Sequence, residues 1–417
     1  MKWSQANLGE VSLLGPQYGA NAPAIERSGK RSRYVRITDI SSNGRLLSTG
    51  DVEADLTDET EFKLQEGDLL FARSGNTVGK TYCYDPDDGP CVFAGYLIRF
   101  RLNQELMHRR FAFYFTQSAS YQNWLLTKRR VAGQPNINGK EYASLKVPLP
   151  PLSEQRQIVE LLDQADALCC RRADADSIAE RVLPALFRKI FDQPENNRDW
   201  PFAKLGDVTA IEAPMVDPRK PEFHALPHIG PDRISRRNGR ILPAQTAKQD
   251  GLISGKFLFD QHHVLYSKIR PYLRKVALPE SRGLCSADMY PVTPLAEYAT
   301  REYIWALLLS DSFTNFTTEH SGRASIPKVN REQFAAYVFK LPPMPIQREF
   351  SNMTAQLRKL ATQQESTRDT IDILFQTLLH RAFTGALTAG WRKAHMKELL
   401  AEMEQQARHL NTSGVVT

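Results

Sequence analysis

Apolar and small residues recur at alternating steps of three and four in two long stretches of the chain, the spacing of a heptad seam along an α-helix. The first seam consists of Ile158, Leu161, Ala165, Leu168, Ala175, Ala179, Val182 and Leu186. The second consists of Met353, Leu357, Leu360, Thr367, Ile371, Leu374 and Leu378. Both seams turn polar at the same step, at Arg172 and Gln364. The pattern predicts two long helices that pair as an antiparallel coiled coil with a polar layer near the middle.

The two predicted helices belong to an internal duplication. Each follows a Leu-Pro-Pro-x-x-x-Gln-Arg step, and Gln155 and Gln347 of these steps lie 192 positions apart. Further matches precede each step at offsets between about 192 and 197: Trp3 with Trp200, Gly9 with Gly206, Asn43-Gly44 with Asn238-Gly239, Asp68–Arg73 with His263–Lys268, and Asn138 with Asn330. A repeat this long is a whole domain plus a helix. The predicted order is therefore globular domain, helix, globular domain, helix.

Residues that start and stop helices locate the ends of the helical regions. Ser153 follows three prolines and is the predicted N-cap of the first helix, and Pro345 suits the first turn of the second. Pro184 is expected to kink or end the first helix, and Gly385 to end the second. A further amphipathic helix is predicted from Trp391 to Leu410. At a rise of about 1.5 Å per residue, each long helix spans roughly 55–60 Å, a rigid ruler between the two domains.

Within each globular half, short strand-like runs precede a helix rich in aromatic residues. The strand-like runs are Arg33–Ile40, Asp68–Arg73, Val92–Phe100, Val264–Ile269 and Met289–Thr293, and the helices are Met107–Leu126 and Arg301–Phe316. The fold class is therefore α+β with a pseudo-two-fold internal repeat. The predicted domains are residues 1–150, a central helical region at 151–195, a second globular domain at 196–341, and a C-terminal helical region at 342–417.

Composition places the chain among ordinary globular proteins. It has 417 residues, a net charge of +7 and five cysteines without a C-x-x-C pair, so neither a zinc site nor a disulfide framework is indicated. The N-terminus lacks the apolar core of a signal peptide, and no apolar run approaches the length that spans a membrane. We therefore expect a cytoplasmic protein with no metal and no membrane contact.

Catalytic motifs are absent or incomplete. The run from Ser74 to Thr81 resembles a phosphate-binding loop but is one residue short between its glycines, and no glycine survives at Ile269–Lys275 in the second half. Neither the [NDS]-P-P-[YF] stretch of amino-methyltransferases nor a G-x-G loop for an adenosyl cofactor is present. Asp55, Glu61 and Lys63 fit a loose nuclease pattern that arises by chance in many proteins. His262 and His263 point to opposite faces if they lie on a strand, which argues against a metal pair.

Basic residues cluster in both halves, in loops that differ between the copies. Loop arginines and lysines neutralise phosphates, and Arg, Asn and Gln read base edges, so we predict two different DNA-binding surfaces. A solvated surface is the alternative for any single cluster. The candidates in the first half are Arg31, Arg33, Arg36, Arg73, Ser74, Lys80, Lys128, Arg129, Arg130 and Gln134. Those in the second half are Arg233, Arg236, Arg237, Arg240, Lys268, Arg270, Tyr272, Arg274, Lys275 and Arg323.

Taken together, these features resemble the specificity subunit of Type I restriction–modification enzymes. The resemblance covers nearly the whole chain. It rests on the two Leu-Pro-Pro-x-x-x-Gln-Arg steps, on the run from Asp68 to Lys80, and on Leu186-Phe followed by Phe191-Asp-Gln-Pro, Trp200 and Leu205-Gly-Asp. The second half departs from the pattern because the Ser-Gly…Gly-Lys turn of the first half is lost there.

The resemblance implies two target-recognition domains, each reading one half of a split, asymmetric site in double-stranded DNA, with the helix length setting the unread spacer. It implies a chain without catalytic activity or cofactor of its own. Two modification subunits would carry S-adenosylmethionine and methylate adenine, and restriction subunits would add nuclease and ATP-driven translocation with Mg²⁺. The target bases do not follow from the sequence.

Three alternatives stay open at this point. A coiled-coil scaffold could join two protein-binding modules, and the chain could serve a methylation-only complex without restriction subunits. An enzyme acting alone is disfavoured by the missing catalytic motifs.

Overall fold

A computed structural model describes residues 3–47, 50–129, 135–321 and 326–413. The first strand of the first globular domain pairs antiparallel with its last strand, which leads into the first long helix. The elements in chain order are β1 (Ser4–Asn7), β2 (Ser12–Tyr18), β3 (Ala24–Glu26), β4 (Arg33–Val35), β5 (Val52–Ala54), β6 (Asp68–Ala72), β7 (Thr81–Cys83), β8 (Cys91–Phe93), β9 (Leu97–Leu102), α1 (Arg109–Gln117), α2 (Ala119–Arg129), α3 (Gly139–Ala143), β10 (Lys146–Leu149) and α4 (Leu152–Phe187).

The second half repeats this order with two additional short helices at its start, and most of its strands are shorter. Its elements are α5 (Pro194–Asn197), β11 (Phe202–Lys204), α6 (Leu205–Val208), β12 (Thr209–Ala210), β13 (Met215–Val216), β14 (His228–Ile229), β15 (Lys256–Phe259), β16 (Val264–Ser267), β17 (Val276–Ala277), β18 (Gly283–Cys285), β19 (Met289–Pro294), α7 (Arg301–Leu309), α8 (Asp311–Glu319), α9 (Arg331–Ala335), β20 (Val338–Lys340) and α10 (Met344–Phe383). Two helices without a counterpart in the first half follow, α11 (Ala389–Ala394) and α12 (Met396–Ser413).

Each domain contains two four-stranded sheets. One is antiparallel, in the order β2-β9-β6-β7 in the first domain and β12-β19-β16-β17 in the second. The other contains one parallel pair, β4 with β8 in the first domain and β14 with β18 in the second. Strands β6 and β16 are buried along their whole length because they lie in the interior of their sheets. The duplication predicted from the sequence thus extends to the strand order of the antiparallel sheet, whereas the other sheet has the order β3-β5-β4-β8 in the first domain and β13-β15-β18-β14 in the second. The fold is α+β, as expected.

The chain divides into two compact units, residues 1–171 with 368–417 and residues 172–367. Each unit holds one globular domain and one half of each long helix. In the first unit, Ile158 and Leu162 near the start of α4 share a core with Leu379 and Ala382 near the end of α10. In the second unit, the rings of Phe187 and Phe350 lie 6.1 Å apart. Within each unit the start of one helix therefore packs with the end of the other, as an antiparallel pair requires.

Burial along the predicted seam is uneven. Ile158 and Ala165 are buried, but Leu168, Val182, Leu360 and Leu374 are between 38% and 54% exposed. Of these two buried positions, Ile158 also contributes to the core of the first globular domain, whereas Ala165 does not. The predicted polar residue Arg172 donates to Asp176 one turn further along its own helix. The helices are as predicted, but contact with the domains contributes much of their burial.

Several predicted helix ends were wrong in detail. Helix α4 begins at Leu152, so Ser153 is not its N-cap; the Ser153 N–H instead donates to Glu402 of α12 at 3.0 Å. The helix also does not end at Pro184, because α4 continues to Phe187, whose ring is buried in the core of the second unit together with that of Phe191. The second long helix does end before Gly385, which has a φ of +75°.

Three predicted helices are interrupted. The predicted C-terminal helix is divided between α11 and α12 at His395. The aromatic-rich helix of each domain is divided by a serine, Ser118 in the first and Ser310 in the second. Each serine ends one helix with extended backbone angles, and its hydroxyl accepts from the N–H three residues later, which caps the next helix. Within the described residues, no helix is long and apolar enough to cross a membrane.

Candidate nucleic-acid interface

Two equivalent glutamines attach each globular domain to the start of its long helix. Gln155 is fully buried; its Oε1 accepts from the His108 N–H at 2.8 Å, and its Nε2 donates to the carbonyls of Leu106 and Pro150 at 2.9 and 2.8 Å. Gln347 makes the same three bonds in the second half. A buried amide needs partners for both its donor and its acceptor, and this geometry supplies them. The repeated Gln-Arg step therefore fixes the domain on the helix.

The Ser74–Lys80 run forms a tight turn between β6 and β7 of the first domain. Its start is held where the Gly75 N–H donates to the Pro135 carbonyl at 3.1 Å, and its end where the Ala72 N–H donates to the Lys80 carbonyl at 2.8 Å. Gly75 and Gly79 have φ of +69° and +88°. A side chain at Gly79 would also meet Leu125 at 2.3 Å. Glycine suits both positions, and the run is a structural turn between strands.

The same turn is present in the second domain, so the expectation that it is lost there was wrong. The Arg270 N–H donates to the Pro327 carbonyl at 2.8 Å, and the Ser267 N–H to the Lys275 carbonyl at 3.0 Å. Arg270 and Arg274 have φ of +49° and +50°, the conformation that Gly75 and Gly79 have in the first domain. Two arginines thus replace two glycines in one backbone frame. An L-residue in this region costs about 1–2 kcal/mol, so the replacement is not neutral.

A cleft of about 320 Å³ lies beside this turn in the second domain. Arg270, Lys275 and Ser267 line it together with the carboxylates of Asp232 and Asp288. Burial lowers the pKa of Lys275, and the nearby positive charges of Arg236 and Arg270 lower it further, while Asp232 opposes them. The cleft therefore combines concentrated positive charge with hydrogen-bond acceptors.

Lys268 lies on the strand that leads into the turn. Its Nζ is 5.3 Å from the centre of the Tyr290 ring. Burial lowers the pKa of Lys268, and the neighbouring charge of Lys328 adds to this effect. This lysine is therefore close to a second cation on the same side of the domain.

The Asn-Gly turns of the two halves are also equivalent, and both contact a long helix. Gly44 and Gly239 have φ of +74° and +66°. The arginine that follows each turn forms an ion pair with a helix: Arg45 with Asp166, and Arg240 with Glu365. The guanidinium of Arg240 is therefore engaged within the protein.

The three arginines predicted near the start of the first domain are likewise held by acidic residues. Arg31 pairs with Asp55 at 3.1 Å and Arg33 with Asp51 at 3.2 Å. Arg36 makes two 2.9 Å bonds to Asp39, which raises the pKa of its guanidinium. Asp55 of the loose nuclease pattern is thus paired with an arginine.

The remaining first-domain candidates are partly buried. Arg73 lies over the Tyr18 ring at 4.9 Å, and the Lys80 Nζ donates to the Ile40 carbonyl at 2.8 Å. Ser74 pairs through its backbone with Asn136. Lys128 lies over the Trp124 ring and 3.5 Å from Glu141. The side chain of Arg129, and Arg130, Gln134 and Arg323, lie outside the described residues.

The second-domain candidates divide into engaged and exposed side chains. Arg233 pairs with Asp232 at 3.2 Å, Arg274 with Asp311 at 2.6 Å, and the Lys275 Nζ donates to the Pro231 carbonyl. Arg236, Arg237, Arg270 and Tyr272 are exposed. Arg237 also has a left-handed backbone, with φ of +68°. Among the candidates within the described residues, the exposed arginines of the second domain are the cations best placed to contact a ligand.

Sequence reasoning found the basic loops but missed how their backbones correspond. The signal was present in Ala72–Lys80 and Ser267–Lys275, which are equally long and are each followed by a short strand. It also missed the role of the paired glutamines. Their recurrence was visible, but their partners are backbone groups that carry no sequence signature.

The described residues hold no group of three His, Cys, Asp or Glu side chains placed to bind a metal ion. His263 is hydrogen-bonded to Asp260 at 2.8 Å, and His262 is exposed. The two histidines therefore behave as a satisfied residue beside an exposed one.

Comparison with known proteins gives consistent results. Residues 2–171 match the family described as "Type I restriction modification DNA specificity domain". The EcoDI specificity subunit of Escherichia coli is 27% identical over 297 residues, covering 62% of this chain and 66% of the relative. The EcoKI specificity subunit of Escherichia coli K12 is 28% identical over 181 residues, covering 41% and 34%. The chain thus covers less than two thirds of these curated relatives.

Two solved structures share the fold. The S subunit from M. genitalium has a TM-score of 0.58 at 13% identity, with 91% of this chain and 96% of that one covered. A chain from a study of complex assembly in the type I R-M system has a TM-score of 0.51 at 19% identity, covering 93% and 98%. By its matched first domain, its curated relatives and its fold, the chain is similar to the specificity subunits of Type I restriction–modification enzymes.

Proposed function

We propose that the chain is the DNA sequence-recognition subunit of a Type I restriction–modification complex, in which each globular domain reads one half of a split, asymmetric site. One observation carries the proposal: two domains share a backbone frame and an identical glutamine attachment, but present different side chains from the same turn. Two copies of one scaffold with different surfaces suit two different half-sites. The chain itself is a non-catalytic recognition subunit in this proposal.

The equivalent turns illustrate how one frame would serve two sequences. In the first domain the frame positions are Gly75 and Gly79, which bring no side chain to the surface. In the second domain the same positions are Arg270 and Arg274. Arginine contributes a charge and a fork of donors that can engage a phosphate or a base edge. The half-sites would therefore differ although the domains have one ancestry.

The long helices would set the unread spacer and hold two modification subunits. Exposed apolar residues on both helices, such as Leu168 and Ile178 on α4 and Leu360 and Ile373 on α10, support contact with a partner protein. S-adenosylmethionine would be bound by those subunits, and flipping of the target adenine would occur in their pocket. ATP and Mg²⁺ would belong to restriction subunits that join the assembly.

Two alternative functions would give different experimental results. A scaffold that joins two protein-binding modules would not bind DNA in a sequence-dependent way. A recognition subunit of a methylation-only complex would bind and direct methylation identically, but would assemble without a restriction subunit.

The decisive experiment expresses the chain with its modification subunits in a host that lacks both, followed by single-molecule methylome sequencing. We expect N6-methyladenine at one split motif, which defines both half-sites and the spacer. Binding of the purified assembly to that motif should weaken steeply with salt, because phosphate contacts release counterions. An intact assembly that leaves the genome unmethylated and binds all DNA equally would refute the proposal.

A further inference from the structure

Arg270 has an unfavourable backbone conformation, and no hydrogen bond or ion pair of its side chain within the described residues offsets the cost. Its φ is +49°, where the equivalent residue of the first domain is a glycine. The neighbouring Arg274 shares the conformation, but its guanidinium forms a 2.6 Å ion pair with Asp311. Within the part of the chain that the structure describes, the guanidinium of Arg270 forms no hydrogen bond or ion pair, and the residue is exposed. Backbone strain at a residue whose exposed side chain has no partner in the described structure points to a function for that side chain.

The backbone of Arg270 is fixed on both sides. Its N–H donates to the Pro327 carbonyl at 2.8 Å, and its carbonyl accepts from the Leu273 N–H at 2.9 Å. The next residue is Pro271, which is buried and restricts the turn. The guanidinium therefore extends from a rigid base. Pre-organisation of this kind reduces the entropy lost on binding and makes a contact selective for one position of the ligand.

The surroundings of Arg270 match one edge of a base pair. It lines the cleft with Lys275 and Ser267, and with two acceptors, Asp232 and Asp288. A site for phosphate alone would gain nothing from carboxylates beside the arginine. The major-groove edge of a G·C pair, by contrast, offers two acceptors on guanine for an arginine fork and one donor on cytosine for a carboxylate.

We infer that Arg270 is a specificity-determining residue that reads a guanine, through its O6 and N7 atoms, in the half-site of the second domain. The inference rests on the proposed function and specifies which base is read, by which domain and by which side chain. The first domain, with Gly75 in the equivalent position, makes no side-chain contact to a base from this point of its turn.

Two substitutions separate base reading from charge. Arg270→Gly installs the residue that the first domain uses in the same conformation, so the turn should form and the domain should fold. Arg270→Lys keeps the positive charge and loses the planar fork. Each full-length variant is expressed with its modification subunits, and methylomes are compared with that of the unaltered chain. Purified complexes are then assayed for methylation of DNAs that differ at single positions of the motif, at two salt concentrations.

We expect Arg270→Gly to lose discrimination at one guanine of one half-site by roughly ten- to hundredfold, while the other half-site keeps its sequence. Arg270→Lys should retain part of that preference. The unchanged half-site is an internal control, because it is read by a domain that carries no substitution. Thermal unfolding of both variants checks that the second domain is intact.

Three outcomes would overturn the inference. The relaxed position could be a base pair without guanine, or Arg270→Gly could keep the full motif. Binding could also weaken equally at every sequence while Arg270→Lys behaves as the unaltered chain, which identifies a phosphate contact. If the unaltered chain directs methylation to no motif at all, the proposed function itself has failed, and that result is distinct from the other three.

Discussion

Gln155 and Gln406 donate to the same two buried carbonyls, which makes their contributions to stability dependent on each other. The Nε2 of Gln155 lies 2.9 Å from the Leu106 carbonyl and 2.8 Å from the Pro150 carbonyl. The Nε2 of Gln406, on the C-terminal helix α12, lies 3.4 and 3.2 Å from them. Either glutamine alone can therefore keep both acceptors satisfied. We predict that Gln155→Ala and Gln406→Ala together destabilise the first unit by more than the sum of the single effects.

The magnitudes follow from the cost of unpaired buried groups. Gln155→Ala leaves the His108 N–H without its 2.8 Å partner but leaves both carbonyls bonded to Gln406, so the expected cost is about 2 kcal/mol. Gln406→Ala removes two long bonds whose acceptors keep Gln155, at about 1 kcal/mol. The double variant leaves two buried carbonyls without a donor, each worth about 1 kcal/mol or more. The coupling energy should therefore be about 2 kcal/mol.

Hydrogen exchange followed by mass spectrometry is the appropriate assay, because a chain with two units does not give a single unfolding free energy. Peptides that cover residues 104–112 and 150–158 report local opening of the first unit. Gln347→Ala is the matched control: it removes the equivalent amide in the second unit and should speed exchange there, with no coupling to Gln406. Strictly additive effects of Gln155→Ala and Gln406→Ala would refute the shared-acceptor account.

Three further predictions concern single sites. Arg392→Ala removes the cation that pairs at 2.6 Å with the fully buried carboxylate of Glu154 and leaves only the neutral donors Thr388 and Trp3, so we expect a loss of about 3 kcal/mol and faster proteolysis of the C-terminal helices. Lys393→Ala at an exposed neighbouring site should change neither. Arg270→Gly should raise the stability of the second unit by about 0.5–1 kcal/mol, since glycine suits a φ of +49°, and faster hydrogen exchange in peptides of that unit would contradict this. Burial raises the pKa of the Cys285 thiol to about 12. The contribution of this thiol to stability is therefore complete below pH 8 and declines from about pH 9 to 12. Cys285→Ala should reduce the loss of stability at alkaline pH by up to about 1.4 kcal/mol per pH unit.

The parts of the fold that the sequence predicts well are those fixed by periodic patterns and by repetition. The heptad spacing located both long helices, and the internal repeat located two α+β domains of one plan. Helix ends were less predictable where tertiary contacts decide them. Ser153 has a side chain that suits an N-cap, but its own N–H donates to the carboxylate of Glu402, about 250 residues away in the chain. Pro184 would stop an isolated helix, yet α4 continues to Phe187, whose ring is buried together with that of Phe191.

The candidate interface shows the same division. Basic residues were visible in the sequence, but which of them are neutralised by a neighbour depends on contacts between loops. Arg31, Arg33 and Arg36 are each paired with an aspartate, and a count of charges could not separate them from Arg236 or Arg270. Among the candidates that lie within the described residues, the structure leaves a few exposed and unpaired arginines, all in the second domain. Their contact with DNA stays a prediction, which the substitutions at Arg270 test for one of them.

Glycines in tight turns are commonly taken as the signature of a turn, so their absence was interpreted as the loss of one. The second domain shows why that inference fails: two main-chain hydrogen bonds at its ends, from Ser267 and Arg270, hold the turn whatever residues lie between them. Once the frame is held from outside, the left-handed positions can accept arginine at a cost of about 1–2 kcal/mol each. A duplicated scaffold can therefore change its surface chemistry at the very positions where the sequence pattern is most restrictive. This allows two domains with one fold to diverge in what they recognise while their attachment through Gln155 and Gln347 stays the same.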